Sequence, residues 1–553
     1  MRREALGLER FTASQNDASL EGKSIQYCHF ANSEGAGKFM QTNALEFFLM
    51  GALTNCPDKI AVIDGSIRIS FAELDRQSRR LAALISRNAN SLNEPVAVYL
   101  PKSANIVMAN IAVMYSGSIY ANIDTKIPPL RLKNILDHIK PKLIITSKER
   151  ATDILGATTE VTHNQIIIID DILEQAYDEN EDARSSNFDQ LIDTDPICII
   201  NTSGSTGTPK GVVLHHRGVI DFMNWVFEEF DFDESTSIGS LSPFYFDIYI
   251  LELFVCLAKG ATIVIIPDQV AIFPAKLMEF VSRGGVNFLF WVPSIMVNIA
   301  NLGLLEKIPL PELRTIFFAG EVFPTRHLNQ WRQALTDVSF VNLYGPIEIH
   351  VDCTFYVVEG DIADDQPLPI GKPCRNTDII ILNEANQLCA AGEQGELCVR
   401  GSSLSSGYWN DPEKTSRAFV QNPLNTRYPE LIYRTGDLAV RRVDGLIYLV
   451  GRKDYQIKHM GYRIELLEIE HQVLRIPGIA SACVVYDHPK KAITLFYQPS
   501  GQDVSQATIR RALSDIFPKY MLPTAYHSRK ELPMNANGKI DRNGLVLSLA
   551  ENS

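Results

Sequence analysis

Nowhere in the chain do two cysteines form a CxxC pair; its nine cysteines stand singly between Cys28 and Cys483. That scatter argues against a cysteine-ligated zinc site and against a disulfide framework, and it fits a reducing cytoplasm. No apolar run reaches the length of about 20 residues that a membrane-spanning helix needs. The first forty residues also lack the continuous apolar segment of a signal peptide. A soluble cytoplasmic protein with no membrane partner is the expectation. Excess positive charge is missing as well: the formal net charge is −13, which leaves no electrostatic footprint for a nucleic-acid partner. The most acidic cluster, "DENEDA" at Asp178 to Ala183, lies between apolar runs and reads as a solvated loop.

With 553 residues, 46% of them apolar, the chain has material for more than one hydrophobic core. Residues 1–39 show little apolar periodicity and read as a disordered tail or N-terminal extension. Met40 is a candidate initiator, because the helix-like "ALEFFLMGAL" starts only afterwards. From Ala44 to about Val450, short apolar runs ("PVAVYL", "KLIITS", "QIIIID", "ATIVIIP") alternate with amphipathic stretches such as "SFAELDRQSRRLAALISRN". This alternation predicts an α/β fold of helix-covered sheets. Further on, "DLAVRRVDGLIYLVGRKD" predicts a hairpin about Asp444-Gly445, and "RIELLEIEHQVLRI" a helix. A domain boundary is placed at Gly451 to Asp454. It divides a large N-terminal domain, 40–452, from a small α+β domain, 453–553, whose last loop is "ELPMNANGKIDRNGL".

One stretch carries chemistry of its own. "NTSGSTGTPKGV", Asn201 to Val212, follows the strand-like "ICII". Its small residues let backbone N–H groups and hydroxyls approach phosphate oxygens, as an anion nest requires. It is not a Walker A loop, because Gly211 and not Ser or Thr follows Lys210. Before it stand "ISFAELD" at Ile69 and "YSGSIYANID" at Tyr115, and after it, in order, "YFDIYILELF" at Tyr245, "NLYGPIE" at Asn342, "GELCVRG" at Gly395, "YRTGD" at Tyr433, "GRKDYQIKHMGYRIELLEIE" at Gly451 and "NGKIDR" at Asn537. Together they resemble the adenylate-forming superfamily, which includes acyl-CoA synthetases, luciferases and nonribosomal-peptide adenylation domains. The resemblance covers about Ala44 to Leu545.

The resemblance implies ATP and Mg²⁺ and a two-step reaction. A substrate carboxylate attacks the α-phosphorus of ATP and releases pyrophosphate, and a thiol then attacks the acyl adenylate. Negative charge gathers at the α-phosphate, where preorganised cations and donors are most effective. By position in the matched patterns, Lys539 is the catalytic cation and Glu348 the catalytic Mg²⁺ ligand. The nucleotide falls to Thr202, Ser203, Gly204, Ser205, Thr206, Gly207, Lys210, Ala319, Gly320, Glu321, Asn342, Tyr344, Gly345, Asp437 and Arg452. Among these, Tyr344 offers a face and Asn342 an amide to adenine, and Asp437 two acceptor oxygens to the ribose. Asp454 matches the hinge of a mobile small domain, since one static site cannot both seat Lys539 and admit a thiol. The chain departs from the family at Ile347, Met460 and Leu467, where Thr, Arg and Gly are usual. With Ile347 the loop hydroxyls must suffice, so a lower rate is expected.

Asp247 sits where amino-acid-activating members carry the carboxylate that pairs with the α-ammonium. The pocket positions by the same resemblance are Asp247, Ile248, Leu251, Phe290, Phe317, Ala319, Leu343, Val351, Asp352 and Lys539. This small, apolar wall is most similar to that of free-standing proline activators of pyrrole and cyanobacterial toxin pathways. Asp352 is the misfit: facing the pocket it could meet a second amine, and facing away it is a solvated or capping residue. Eleven residues after Arg542 are too few for a carrier domain, so a separate phosphopantetheinylated carrier protein is expected as partner. A ligase for another amino acid (D-alanine or an ornithine-like one), an acyl-CoA synthetase and a silent nucleotide-binding module are the competing readings.

Overall fold

The computed structural model describes residues 41–89, 91–174, 187–203, 209–501, 504–534 and 540–551. The expectations for the tail and for the "DENEDA" loop lie outside these residues. The alternation read in the sequence becomes two large sheets with helices against them. The six-stranded sheet runs Ile166–Ile168, Leu143–Thr146, Pro95–Tyr99, Ile119–Asn122, Pro196–Thr202, Lys210–His215, parallel except for the last pair. At the centre of the nine-stranded sheet, Ser237–Ser240, Thr262–Ile265, Phe288–Trp291, Thr315–Phe318 and Ser339–Tyr344 are parallel neighbours. Antiparallel strands close its edges. Strands buried on both faces read as apolar runs, which is why "KLIITS" and "ATIVIIP" were legible.

Helices fill the faces for reasons visible locally. Helix Phe71–Asn88 starts where Ser70 accepts the N–H of Glu73, and it buries Leu74, Leu81 and Ile85 on one stripe. Helix Ile248–Lys259 is apolar almost all round and buried accordingly. Among the described residues no helix is long and apolar enough to cross a membrane.

A third, antiparallel sheet contains the hairpin expected about Asp444-Gly445: Leu431–Arg441 pairs with Ile447–Arg452, and Gly445 takes a positive φ of 84°. Beyond it the chain forms the hairpin Gln456–His459 with Tyr462–Glu465, then the three-stranded sheet Ile479–Asp487, Ala492–Pro499, Ala525–Ser528 with its own apolar core. The helix expected from Arg463 onward begins only at Leu466 and ends at Val473. Arg463 to Glu465 are drawn into the hairpin, where Lys458 faces Arg463 across the ladder.

Candidate active site

The parallel strands of the large sheets end on one side, and a cavity of about 630 Å³ opens beyond their carboxyl ends, where open α/β sheets place their ligands. Thr202 and Ser203 reach it from one sheet; Leu241 to Ile248, Trp291, Val292, Ala319, Gly320, Tyr344 and Gly345 reach it from the other. Asp437, Arg452, Lys458, Met460 and Arg463 complete the wall.

Asp247, Asp352 and Asp437 line this cavity, Glu348 is held behind it by Arg463, and these four carboxylates stand in two different states. Glu348 is fully buried and saturated: its Oε2 lies 2.6 Å from Arg463 Nη1, and its Oε1 accepts from Tyr408 OH at 2.8 Å and lies 3.5 Å from Lys210 Nζ. Burial opposes its charge, but Arg463 and Lys210 outweigh burial and hold the carboxyl well below the usual range. Asp437 is likewise engaged, one oxygen by Arg452 Nη1 at 2.6 Å and the other by the hydroxyl of Tyr344. Arg452 also grips Asp454, at 2.6 and 2.8 Å.

The other two carboxylates are hardly engaged. Asp247 stands at the N-terminus of helix Ile248–Lys259 and accepts the N–H of Ile248, at 3.0 Å. Burial pushes its carboxyl up to about 6, although the Lys458 ammonium pulls the other way. Asp352 lines the same cavity at 3% exposure, and its Oδ2 is sealed without a hydrogen-bond partner among the described residues. Burial, then the negative charge of Asp247, raise its carboxyl well above the usual range. The two carboxyls oppose each other's ionisation, and the charge of Asp247 adds to burial in opposing that of Asp352.

The segment that carries Glu348 and Asp352 is held under strain. His350 and Val351 have φ of 56° and 66°, an unfavourable region for a β-branched residue. The His350 ring anchors them: Nδ1 donates to the Ser403 carbonyl at 2.8 Å, and Nε2 accepts the N–H of His215 at 2.9 Å. That pairing needs the neutral ring, and burial holds its pKa well below the usual value. Gly218 makes room, since a Cβ there would lie 2.4 Å from the imidazole.

Of the residues singled out in the sequence, Thr202, Ser203, Asp247, Ile248, Ala319, Gly320, Tyr344, Gly345, Val351, Asp352, Asp437 and Arg452 line the cavity together. Leu251, Phe290, Phe317 and Leu343 belong to the buried core, with Leu251, Phe290 and Phe317 at 0% exposure. Asn342 turns its amide to the Pro369 carbonyl, 2.8 Å away. Glu321 accepts the backbone N–H groups of Ser294 and Gly461, at 2.9 and 2.8 Å. Lys539 and the loop residues Gly204, Ser205, Thr206 and Gly207 lie outside the described residues.

Sequence reasoning passed over Lys458, Arg463 and Tyr408. Lys458 is enclosed, 5.9 Å above the Tyr344 ring, with Asp437, Asp247 and Asp352 in its field. Its alternation with Arg463 in "QIKHMGYRIE" was the available signal: strand spacing about a glycine turn puts both cations on facing strands.

Residues 51–409 match the AMP-binding enzyme family, and residues 468–539 match the AMP-binding enzyme C-terminal domain. The chain belongs to that family. Its fold is the adenylate-forming one, with a large N-terminal and a small C-terminal domain, and enzymes of this family generally use ATP and Mg²⁺. The chain is 32% identical to tyrocidine synthase 1 of Brevibacillus parabrevis over 88% of its own length and 43% of that protein's. It is 30% identical to zwittermicin A synthase ZmaJ of Bacillus cereus, over 89% of this chain and 92% of that one. It thus spans less than half of the large synthases that it matches. Among solved structures, holo-PA1221, an NRPS protein containing adenylation and PCP domains, superposes with a TM-score of 0.78 at 23% identity, over 92% of this chain and 84% of that one.

Proposed function

We propose that the chain activates a small amino acid with ATP and hands it to the phosphopantetheine thiol of a separate carrier protein in the cytoplasm. The observation that carries this reading is Asp247, a nearly unpartnered carboxylate on the same cavity wall as Tyr344, Gly320 and Asp437. An isolated buried carboxylate is costly, and a substrate ammonium is its natural complement. The amino acid's own carboxylate then attacks the α-phosphorus and pyrophosphate departs. In the second step the thiol sulfur attacks the acyl carbon, AMP leaves, and the thiol proton is lost. Lys539 is the proposed cation of the first step. Asp454, at the junction between 40–452 and 453–553, is the proposed hinge. The resemblance to synthases of peptide antibiotics and to an adenylation–PCP protein supports the carrier.

The apolar wall of Ile248, Ala319 and Val351 supports a compact side chain, proline first. A second reading rests on Asp352: its place in the cavity suits an amino acid bearing a second amine within reach of both carboxylates. A panel of amino acids in ATP–pyrophosphate exchange, followed by a comparison of free CoA with a holo-carrier protein as acceptor, tests all of this. Proline is expected to lead and the carrier to win. Leucine leading would overturn the pocket reading, and ornithine or another diamino acid leading would favour the second. CoA winning would make the protein an acyl-CoA synthetase, and ATP binding without exchange would make it a silent module.

A further inference from the structure

Two chain segments of the large domain grip the turn that carries Glu348. Strand Lys210–His215 brings Lys210 to the Oε1 of Glu348, at 3.5 Å. The stretch 403–409 runs along that strand, with Ser406 N–H on the Val213 carbonyl and Trp409 N–H on the Gly211 carbonyl, at 2.9 and 2.8 Å. It brings the Tyr408 hydroxyl to the same Oε1, and its Ser405 N–H donates to the Glu348 carbonyl, both at 2.8 Å. The His350 ring, two residues on, is tied to both segments: it accepts the His215 N–H from the first and donates to the Ser403 carbonyl of the second. We propose that His350 is a positioning residue for the adenylation chemistry, a strut that fixes where the Glu348 carboxylate stands relative to Lys210 and Tyr408. The inference rests on Glu348 serving the proposed reaction.

The backbone shows why a strut is needed. His350 and Val351 both stand at positive φ, and a β-branched residue left to itself returns to the extended region. The base of this loop is fixed independently of the ring. Cys353 N–H donates to the Tyr344 carbonyl at 2.8 Å, and Gly345 lies flush on the backbone of Val351 and Asp352, where a Cβ would collide. Glu348 lies farther out, on the short 3₁₀ turn Ile347–Ile349. The strut therefore governs Glu348 more than Asp352. It leaves Asp247 alone, because that carboxylate heads a separate helix. Displacement of a reacting site by about 1 Å costs up to on the order of a hundredfold in rate.

The test is a double-mutant cycle read by ATP–pyrophosphate exchange with the best amino acid of the panel. Gly218→Ala acts on the strut from outside the cavity: alanine is the better helix former, but its Cβ runs into the imidazole. His350→Gly is at ease at φ 56° and removes the ring. Each is expected to lower kcat at least on the order of tenfold while the KM for the amino acid stays within about threefold. Together they are expected to lose no more than His350→Gly alone, because the added methyl then meets no ring. His350→Asn also tolerates the positive φ and offers an amide N–H to the Ser403 carbonyl, so it is expected to keep more of kcat than His350→Gly. Circular dichroism melting establishes which variants fold, and His350→Asn takes the place of His350→Gly in the cycle if the latter does not. Unchanged kcat in the folded single variants, losses that multiply in the double variant, or a loss carried by the amino-acid KM alone would each overturn the strut. No exchange by the natural protein would sink the adenylating reading and the inference with it, whereas exchange that survives undiminished in the variants sinks the inference alone.

Discussion

Replacing Asp247 by asparagine should make the ligand-free protein more stable while it disables amino-acid activation. Burial pushes this carboxyl from an ordinary 3.8 up to about 6. By linkage, a carboxyl held about two pH units high is about 3 kcal/mol harder to ionise in the folded chain than in the unfolded one. That figure is an upper bound, because Asp247 shows part of its surface to the cavity, where water screens it. A gain of about 1–2 kcal/mol for Asp247→Asn at pH 8 follows. The sign over pH is fixed. Below about pH 4 both states carry the proton and the gain is absent. Between about 4 and 6 the folded chain binds the extra proton, so the natural protein loses stability relative to the variant as pH rises. Above about 6 the difference is constant. Asparagine Oδ1 can still accept the Ile248 N–H, so the helix keeps its N-cap. Urea unfolding of both proteins from pH 4 to 8 measures the gain. Pyrophosphate exchange should meanwhile fall by at least on the order of a hundredfold with the best amino acid, as loss of a buried ionic partner requires. A variant less stable than the natural protein at pH 8, or a stability difference that ignores pH, would refute the burial argument.

Two further predictions concern the same reaction. Lys539→Ala should lower exchange by at least on the order of a hundredfold with ATP binding largely kept, since the lysine is assigned to the charge that develops at the α-phosphate; a KM effect alone would show that it serves binding only. Asp352→Asn should leave the acid limb of kcat/KM for proline, near pH 6, in place, because Asp247 ionises first. A pH profile of exchange reads this directly, and an acid limb that moves with the substitution would show that the two carboxyls titrate together.

Strands buried on both faces announced themselves as apolar runs, and the Asp444-Gly445 turn announced its hairpin through the one residue type at ease at φ 84°. The ordered patterns also brought the cavity wall together, from Thr202 to Arg452. What stayed hidden was direction. Asn342 sits on a strand that ends at the cavity, yet its amide points to Pro369, and Leu251 and Phe317 lie behind the wall and not in it. Sequence spacing fixes which face of an element a residue occupies, but not which of two neighbours its side chain meets. The Arg463–Glu348 pair spans 115 residues and joins a hairpin to a 3₁₀ turn. No local pattern could have announced it. His350 was equally silent, because its role depends on a glycine 132 positions earlier that leaves space for the ring.

The cavity's carboxylates divide by what already holds them, and that division assigns their work. Glu348 and Asp437 carry protein cations and donors on both oxygens, so each is fixed in place, and any ligand must displace a standing partner. Asp247 accepts the Ile248 N–H, and Asp352 Oδ2 has no partner among the described residues, so a charge on Asp247 is held at a cost that an incoming cation relieves. On the proposed reading, an ammonium-bearing substrate would be drawn to the 247 side and a metal–nucleotide pair to the 348 side. The hairpin crosses both sides, with Arg463 on Glu348 and Lys458 between Asp437 and the two free carboxylates.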